Sequence, residues 1–173
     1  MRGIRLMTAV SMLLGAQAAL ASSQATFSFY GTILPPSCIP NPATLPQVVT
    51  LSTVAVTDFT GATSGAKAFV IELSGCQPQT SLAMSVSGTT DTLPTVLKNL
   101  NGSAAQVGVQ LLLASRPGAT TGTPIPINGD AVALGTSGPT GTMIIPLVAQ
   151  YYRLGALSAG TVGVTATVTF TYD

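Results

Sequence analysis

Residues 161–172 alternate almost without fault. Val162, Val164, Ala166, Val168, Phe170 and Tyr172 fall on one side, and Thr161, Gly163, Thr165, Thr167, Thr169 and Thr171 on the other. Successive side chains of a strand point to opposite faces, so period two over twelve residues predicts a half-buried strand. A helix would bring apolar residues back every three or four positions, which this segment does not do. A strand of this kind must pair in a sheet and cover its apolar face, and that requirement shapes everything before it. It is also the last segment of the sequence, so no later residues are expected to pair its far side.

The same pattern runs through the rest of the chain, which is rich in valine and threonine and punctuated by glycine, proline and asparagine. Interior strands are predicted over residues 48–56, 67–73, 81–86, 106–114 and 142–154. Asn128-Gly129, set between 125–127 and 131–134, predicts a hairpin turn, because both residues tolerate positive φ. Residues 93–100 have no decisive period and leave room for a short helical turn. Loops are expected at 61–65, 116–123 and 135–141. Short strands with turns between them, in one domain without internal repeats, predict a β-sandwich.

The first residues have a different composition. Arg2 and Arg5 precede the mostly apolar run 6–20, and Ala19-Leu20-Ala21 supplies small residues where a signal peptidase cuts. Cleavage is expected after Ala21, with Ala18 as the other candidate. A membrane anchor fits less well, because Thr8, Ser11, Gly15 and Gln17 interrupt a fifteen-residue run, whereas a bilayer span needs about twenty.

The mature chain expected from this, residues 22–173, keeps Lys67, Lys98, Arg116 and Arg153 against Asp58, Glu72, Asp91, Asp130 and Asp173. Four positive and five negative side chains give −1. Nucleic acid and anionic membranes attract clustered lysine and arginine, so neither is an expected partner. A surface that avoids charge suits a subunit packed against others like it.

Cys38 and Cys76 are the two cysteines. An even count in an exported domain predicts one disulfide, closing a loop of 39 residues (38–76). The chain-entropy account gives such a loop about 4 kcal/mol. A metal pair would find no histidine to complete it, and there is no CxxC spacing. No metal, cofactor or catalytic residue is expected. With the cysteines paired and Glu72 the sole glutamate, only scattered carboxylates remain for acid–base work.

A second alternating stretch lies near the expected mature N-terminus. Ala25, Phe27, Phe29, Gly31 and Ile33 share one face, and Thr26, Ser28, Tyr30 and Thr32 the other. Pro35-Pro36 follows and cannot continue a ladder. Two readings stay open: a first strand of the chain's own sandwich, or an extension that stands apart from it.

These segments together carry a family resemblance. Phe27-Ser-Phe-Tyr-Gly31-Thr-Ile33 leads into Cys38, and Cys76 follows Glu72-Leu73-Ser74-Gly75. Ala105-Gln-Val-Gly-Val-Gln110 looks like a central strand. Ile145-Pro146, Ala149-Gln-Tyr-Tyr152, Gly160 at the fourteenth residue from the end and the penultimate Tyr172 complete the pattern. The chain resembles the type 1 and P pilus family of fimbrial subunits assembled by the chaperone–usher route.

The resemblance implies an all-β, incomplete immunoglobulin-like sandwich that lacks its last strand and is completed by a donated one. It divides the chain into a signal peptide (1–21), a donor-strand extension (22–36) and a pilin domain (37–173). Ala25, Phe27, Phe29, Gly31 and Ile33 would be the donated positions. Gly160, Val162, Val164, Ala166, Val168, Phe170 and Tyr172 would form the C-terminal motif and acceptor groove, besides serving as ordinary core. Implied partners are neighbouring pilins, identical or different, a periplasmic chaperone and an outer-membrane usher. The implied location is a bacterial surface fimbrium that supports adhesion, reached through the periplasm.

Two features depart from the commonest pattern. Only sixteen residues (22–37) precede Cys38, which is similar to minor or adaptor pilins. The paired phenylalanines are bulkier than the usual aliphatics, so the partner groove is expected to be roomy. A terminator or anchor subunit would keep the donor strand but have a blocked groove. A carbohydrate-binding adhesin would place a separate binding domain ahead of the pilin domain. Asn101-Gly-Ser103 matches a glycosylation sequon and is read as a loop.

Overall fold

Nine strands account for the regular structure of a computed structural model that describes residues 28, 30, 38–41 and 48–173. The expected signal peptide, and Ala25, Phe27, Phe29, Gly31 and Ile33, lie outside the described residues. The strands are β1 (Ile39–Pro40), β2 (Thr63–Ser74), β3 (Ser81–Gly88), β4 (Val96–Lys98) and β5 (Val107–Ala114), followed by β6 (Gly122–Pro124), β7 (Val132–Thr136), β8 (Met143–Arg153) and β9 (Ala166–Tyr172). All lie in one compact unit, Leu34–Asp173.

Two antiparallel sheets result. The larger runs β1-β2-β8-β5-β4, with β6 also on β5, and the smaller runs β7-β3-β9. In the larger sheet the register places Phe69 beside Leu147 and Ile71 beside Ile145, while Leu111 pairs with Ala149. Period-two alternation therefore turns one apolar row from each strand inward. In the smaller sheet Leu82, Met84 and Val86 of β3 do the same, and Met84 is wholly buried. These rows meet in one core that also contains both cysteines, Leu97, Ile125 and Ile127. The fold is an all-β sandwich of the incomplete immunoglobulin type.

Four expectations are corrected. Residues 48–55 form no strand and lead into a 3-10 turn at Val56–Asp58, where the Asp58 carboxylate accepts from the Ala55 N–H at 2.6 Å. Valine-rich runs become strands only where an edge offers partner groups, and no described strand pairs with this one. The expected loop at 61–65 ends early: residues 61–62 are loop, but β2 already begins at Thr63, with a register shift between Ser64 and Lys67. Gly65 supplies φ +66° there.

Asn128 does sit in a turn, at φ +57°, but no hairpin forms: β7 pairs with β3, and Ile127 only bridges Val86 in parallel. The Asn128 carboxamide accepts from the Gly88 N–H at 3.1 Å and donates to the Gly88 carbonyl at 2.8 Å, taking the place of a strand partner. Lastly, residues 93–100 hold a turn followed by β4 rather than a helical turn.

Candidate functional site: an open groove along the last strand

The core stops abruptly at β9. Val86 and Met84 on β3 are 2% and 0% exposed, yet their register partners Val168 and Phe170 are only half-buried. Ala166 and Tyr172 are likewise half-buried, while Thr167, Thr169 and Thr171 face solvent. Among the described residues the inward row of β9 thus lacks a neighbouring strand on one side.

The backbone has the same vacancy. Ser81 and Asp173 exchange both of their hydrogen bonds, at 3.0 and 3.1 Å. In an antiparallel ladder such pairs alternate, so Thr167, Thr169 and Thr171 also turn their backbone groups toward β3. The N–H and C=O groups of Val168, Phe170 and Tyr172 point the other way. Among the described residues β9 pairs with β3 alone. One edge of the strand therefore presents both its inward side chains and unpaired ladder groups.

Beside that edge runs a groove of about 850 Å³. Its floor is the interior of the sandwich, including Val86, Leu111 and Leu147. Val162, Val164, Ala166, Val168 and Phe170 form one wall, and Val48, Val49, Thr50 and Leu51 contribute to the lining, as does Phe69. Among the described residues no charged side chain lines it. Tyr151 also lines it, with its ring over Gly65: a Cβ there would stand 2.9 Å from the ring. Burial pushes the Tyr151 phenol above its ordinary pKa.

The segment before β9 is held differently from β9 itself. Thr161 and Gly163 bond the loop that leaves β4, not β3. The Asn99 carboxamide donates to the carbonyls of Ala104 and Thr161, at 2.9 and 3.1 Å, and accepts from the Gly163 N–H at 2.8 Å. Ser103 and Ala104 also bond Thr161. Gly160 lies against this loop, where a Cβ would come within 2.5 Å of the Ala104 nitrogen. The alternating stretch is therefore divided, with 161–165 outside the strand and 166–172 within it. Asn101-Gly-Ser103 belongs to this loop.

At the other end, Cys38 and Cys76 are joined in a disulfide, both buried. It fastens the chain entering β1 to the end of β2. The Tyr172 hydroxyl donates to the Cys38 carbonyl at 3.2 Å, so the last strand reaches the same junction.

Of the C-terminal residues singled out by the sequence, Val162 through Phe170 line the groove. Gly160 and Tyr172 flank it, at the Asn99 loop and the disulfide. The alternation gave no sign of Asn99 or of the wall at 48–51. Asn99 acts through backbone atoms distant in sequence, and 48–51 looked like ordinary strand. Among the described residues no group of three or more His, Cys, Asp or Glu could hold a metal. No described helix is long and apolar enough to cross a membrane.

A family profile described as fimbrial protein matches residues 27–173. The chain is 32% identical over 157 residues to the A chain of type-1 fimbrial protein from Escherichia coli, covering 86% of this chain and 82% of that one. Among solved structures it is similar to the CupB6 tip adhesin of Pseudomonas aeruginosa, with TM-score 0.56 and 28% identity over 71% of this chain. It spans only 35% of that adhesin's length. The P pilus rod subunit PapA shares the fold, with TM-score 0.57 at 16% identity, over 79% of this chain and 99% of that one.

Proposed function

This chain belongs to the fimbrial protein family, and we propose that it is a structural subunit that polymerises by donor-strand exchange. In this reading the groove along β9 receives a strand from a neighbouring subunit, and residues 22–36 donate one to the next. The observation that carries it is the coincidence, on one edge of β9, of half-buried side chains and unpaired backbone groups beside an apolar groove. An exposed edge of that kind invites pairing with another chain. An added strand satisfies the backbone with ladder bonds and fills the groove with alternate side chains, which is β-augmentation.

Before assembly the same edge needs a cover, and a periplasmic chaperone serves, with an outer-membrane usher as the place of exchange. The signal segment delivers the chain to that compartment. The disulfide and the Tyr172–Cys38 bond hold the strand that forms the groove wall. In this reading the role is architectural, and the described lining of the groove is mostly apolar. The open groove argues against a terminator, whose groove would be blocked.

The test is assembly of the purified mature chain. Donor-strand polymers should appear as ladders that survive SDS without heating and collapse on boiling. Phe29→Asp should fold yet fail to extend the ladder. A ladder of wild-type length from Phe29→Asp would refute the donor assignment.

A further inference from the structure

Two Asn-Gly pairs occur in the chain, Asn101-Gly102 and Asn128-Gly129. In such a pair no side chain shields the glycine N–H and the backbone turns freely, so its nitrogen can reach the Cγ of the preceding asparagine. Both asparagines are exposed, yet the structure treats them oppositely. The Asn128 carboxamide is locked from both ends by Gly88, accepting from its N–H at 3.1 Å and donating to its carbonyl at 2.8 Å. Among the described residues nothing bonds the Asn101 carboxamide, and nothing bonds the Gly102 N–H. Packing also demands the glycine at 102, because a Cβ there would run into the Thr161 carbonyl. The loop that holds 161–163 is therefore built around a glycine preceded by a free asparagine.

We infer that Asn101 is a site of spontaneous covalent modification, deamidation through a cyclic imide, and that the product releases the loop's hold on residues 161–163. The Gly102 nitrogen attacks the Asn101 Cγ and forms a C–N bond. The bond from Cγ to Nδ2 breaks, and ammonia leaves with the proton from Gly102. Water then adds to either carbonyl of the ring, leaving aspartate or isoaspartate at 101. The net change is water in and ammonia out, with no oxidation or reduction. Isoaspartate carries the Asn101 Cβ into the main chain. The Asn101 N–H bonds the Gly163 carbonyl at 3.1 Å, and the Ala104 N–H bonds the Thr161 carbonyl at 3.0 Å. A longer main chain between 101 and 104 pulls these two bonds out of register. Val162, Gly163 and Val164 line the groove, so the modification acts on its wall.

The test incubates the folded mature chain in mildly alkaline buffer and reads residues 99, 101 and 128 by peptide mass spectrometry, with isoaspartyl methyltransferase labelling to find the isoaspartate. Asn101 should convert at least about tenfold faster than Asn128, where two hydrogen bonds must first be broken. In urea the two rates should draw together, because the lock on Asn128 is then gone. In the converted chain, amide exchange at Ala104 should accelerate by at least about tenfold. Asn101→Gln, whose side chain closes a ring far more slowly, should keep its slow exchange through the same incubation. Equal rates at 101 and 128 in the folded chain, or no conversion at 101, would overturn the site. Unchanged Ala104 exchange after conversion would overturn the release, as would equal acceleration in Asn101→Gln.

Discussion

The Tyr172 hydroxyl donates a 3.2 Å hydrogen bond to the Cys38 carbonyl, joining residues 134 positions apart. It connects the free end of β9 to the junction where the disulfide fastens the chain entering β1 to the end of β2. Among the described residues β9 has a strand on one side only, and this contact ties down its end.

Tyr172→Phe removes that bond while keeping the ring. A hydrogen bond of this kind contributes about 1 kcal/mol net, so the denaturant midpoint should fall with the m-value unchanged. The shift in Tm should be about 2–4 °C for a chain of this size. An unchanged midpoint would mean that the hydroxyl is equally well satisfied by water.

Replacing both cysteines by serine should cost about 4 kcal/mol on the chain-entropy account. It also places two hydroxyls in buried positions, which adds to the loss unless they find partners. The check is urea unfolding of the double variant against wild type under non-reducing conditions, and equal midpoints would contradict a stabilising role for the bond.

Asn99→Ala removes three hydrogen bonds at once, those to Ala104, Thr161 and Gly163. The expected cost is about 1–3 kcal/mol. The specific signature is local: amide exchange at Gly163, whose N–H bonds the Asn99 carboxamide, should accelerate more than that of residues in β5. Uniform acceleration would show that the clamp is not a separate unit.

How much of this was legible beforehand differs by segment. β9 was plain from its threonines and the apolar residues between them, since period two is a local property of the chain. The break at Thr165 was not, because Thr161 and Gly163 are held by Asn99 and Ser103, some sixty positions away. Residues 48–56 misled for the opposite reason: β-branched side chains signal fitness for a sheet but not the presence of an edge to join. Asn128-Gly129 announced its turn correctly, while the strands flanking that turn were decided by β3, which captured β7. The pairing of Cys38 with Cys76 followed from there being only two cysteines.

Tyr151 gives a pH signature. Its folded-state pKa is raised by burial, so folding disfavours the phenolate. Its contribution is fully present below the ordinary tyrosine range and is lost as pH rises through the folded-state value. Stability of wild type should therefore decline above about pH 10 more steeply than that of Tyr151→Phe. Parallel declines would show that the other titrating groups account for the whole effect.

Val168→Asp and Phe29→Asp should fail in opposite ways. The first puts a carboxylate in the groove wall and should block acceptance while leaving donation intact. The second should block donation while leaving acceptance intact. Mixed in equal amounts, the two should give dimers, with Phe29→Asp receiving the strand of Val168→Asp, and no longer ladder. Long mixed ladders would place the groove elsewhere.

The most direct test of the open groove is thermal unfolding of residues 36–173, with and without a synthetic peptide of residues 22–35. A strand that fills the groove binds the folded state alone, so the Tm should rise by many degrees and continue to rise with peptide concentration. A Tm indifferent to the peptide at all concentrations would mean that this sandwich does not accept its own strand, and would contradict self-assembly by strand donation.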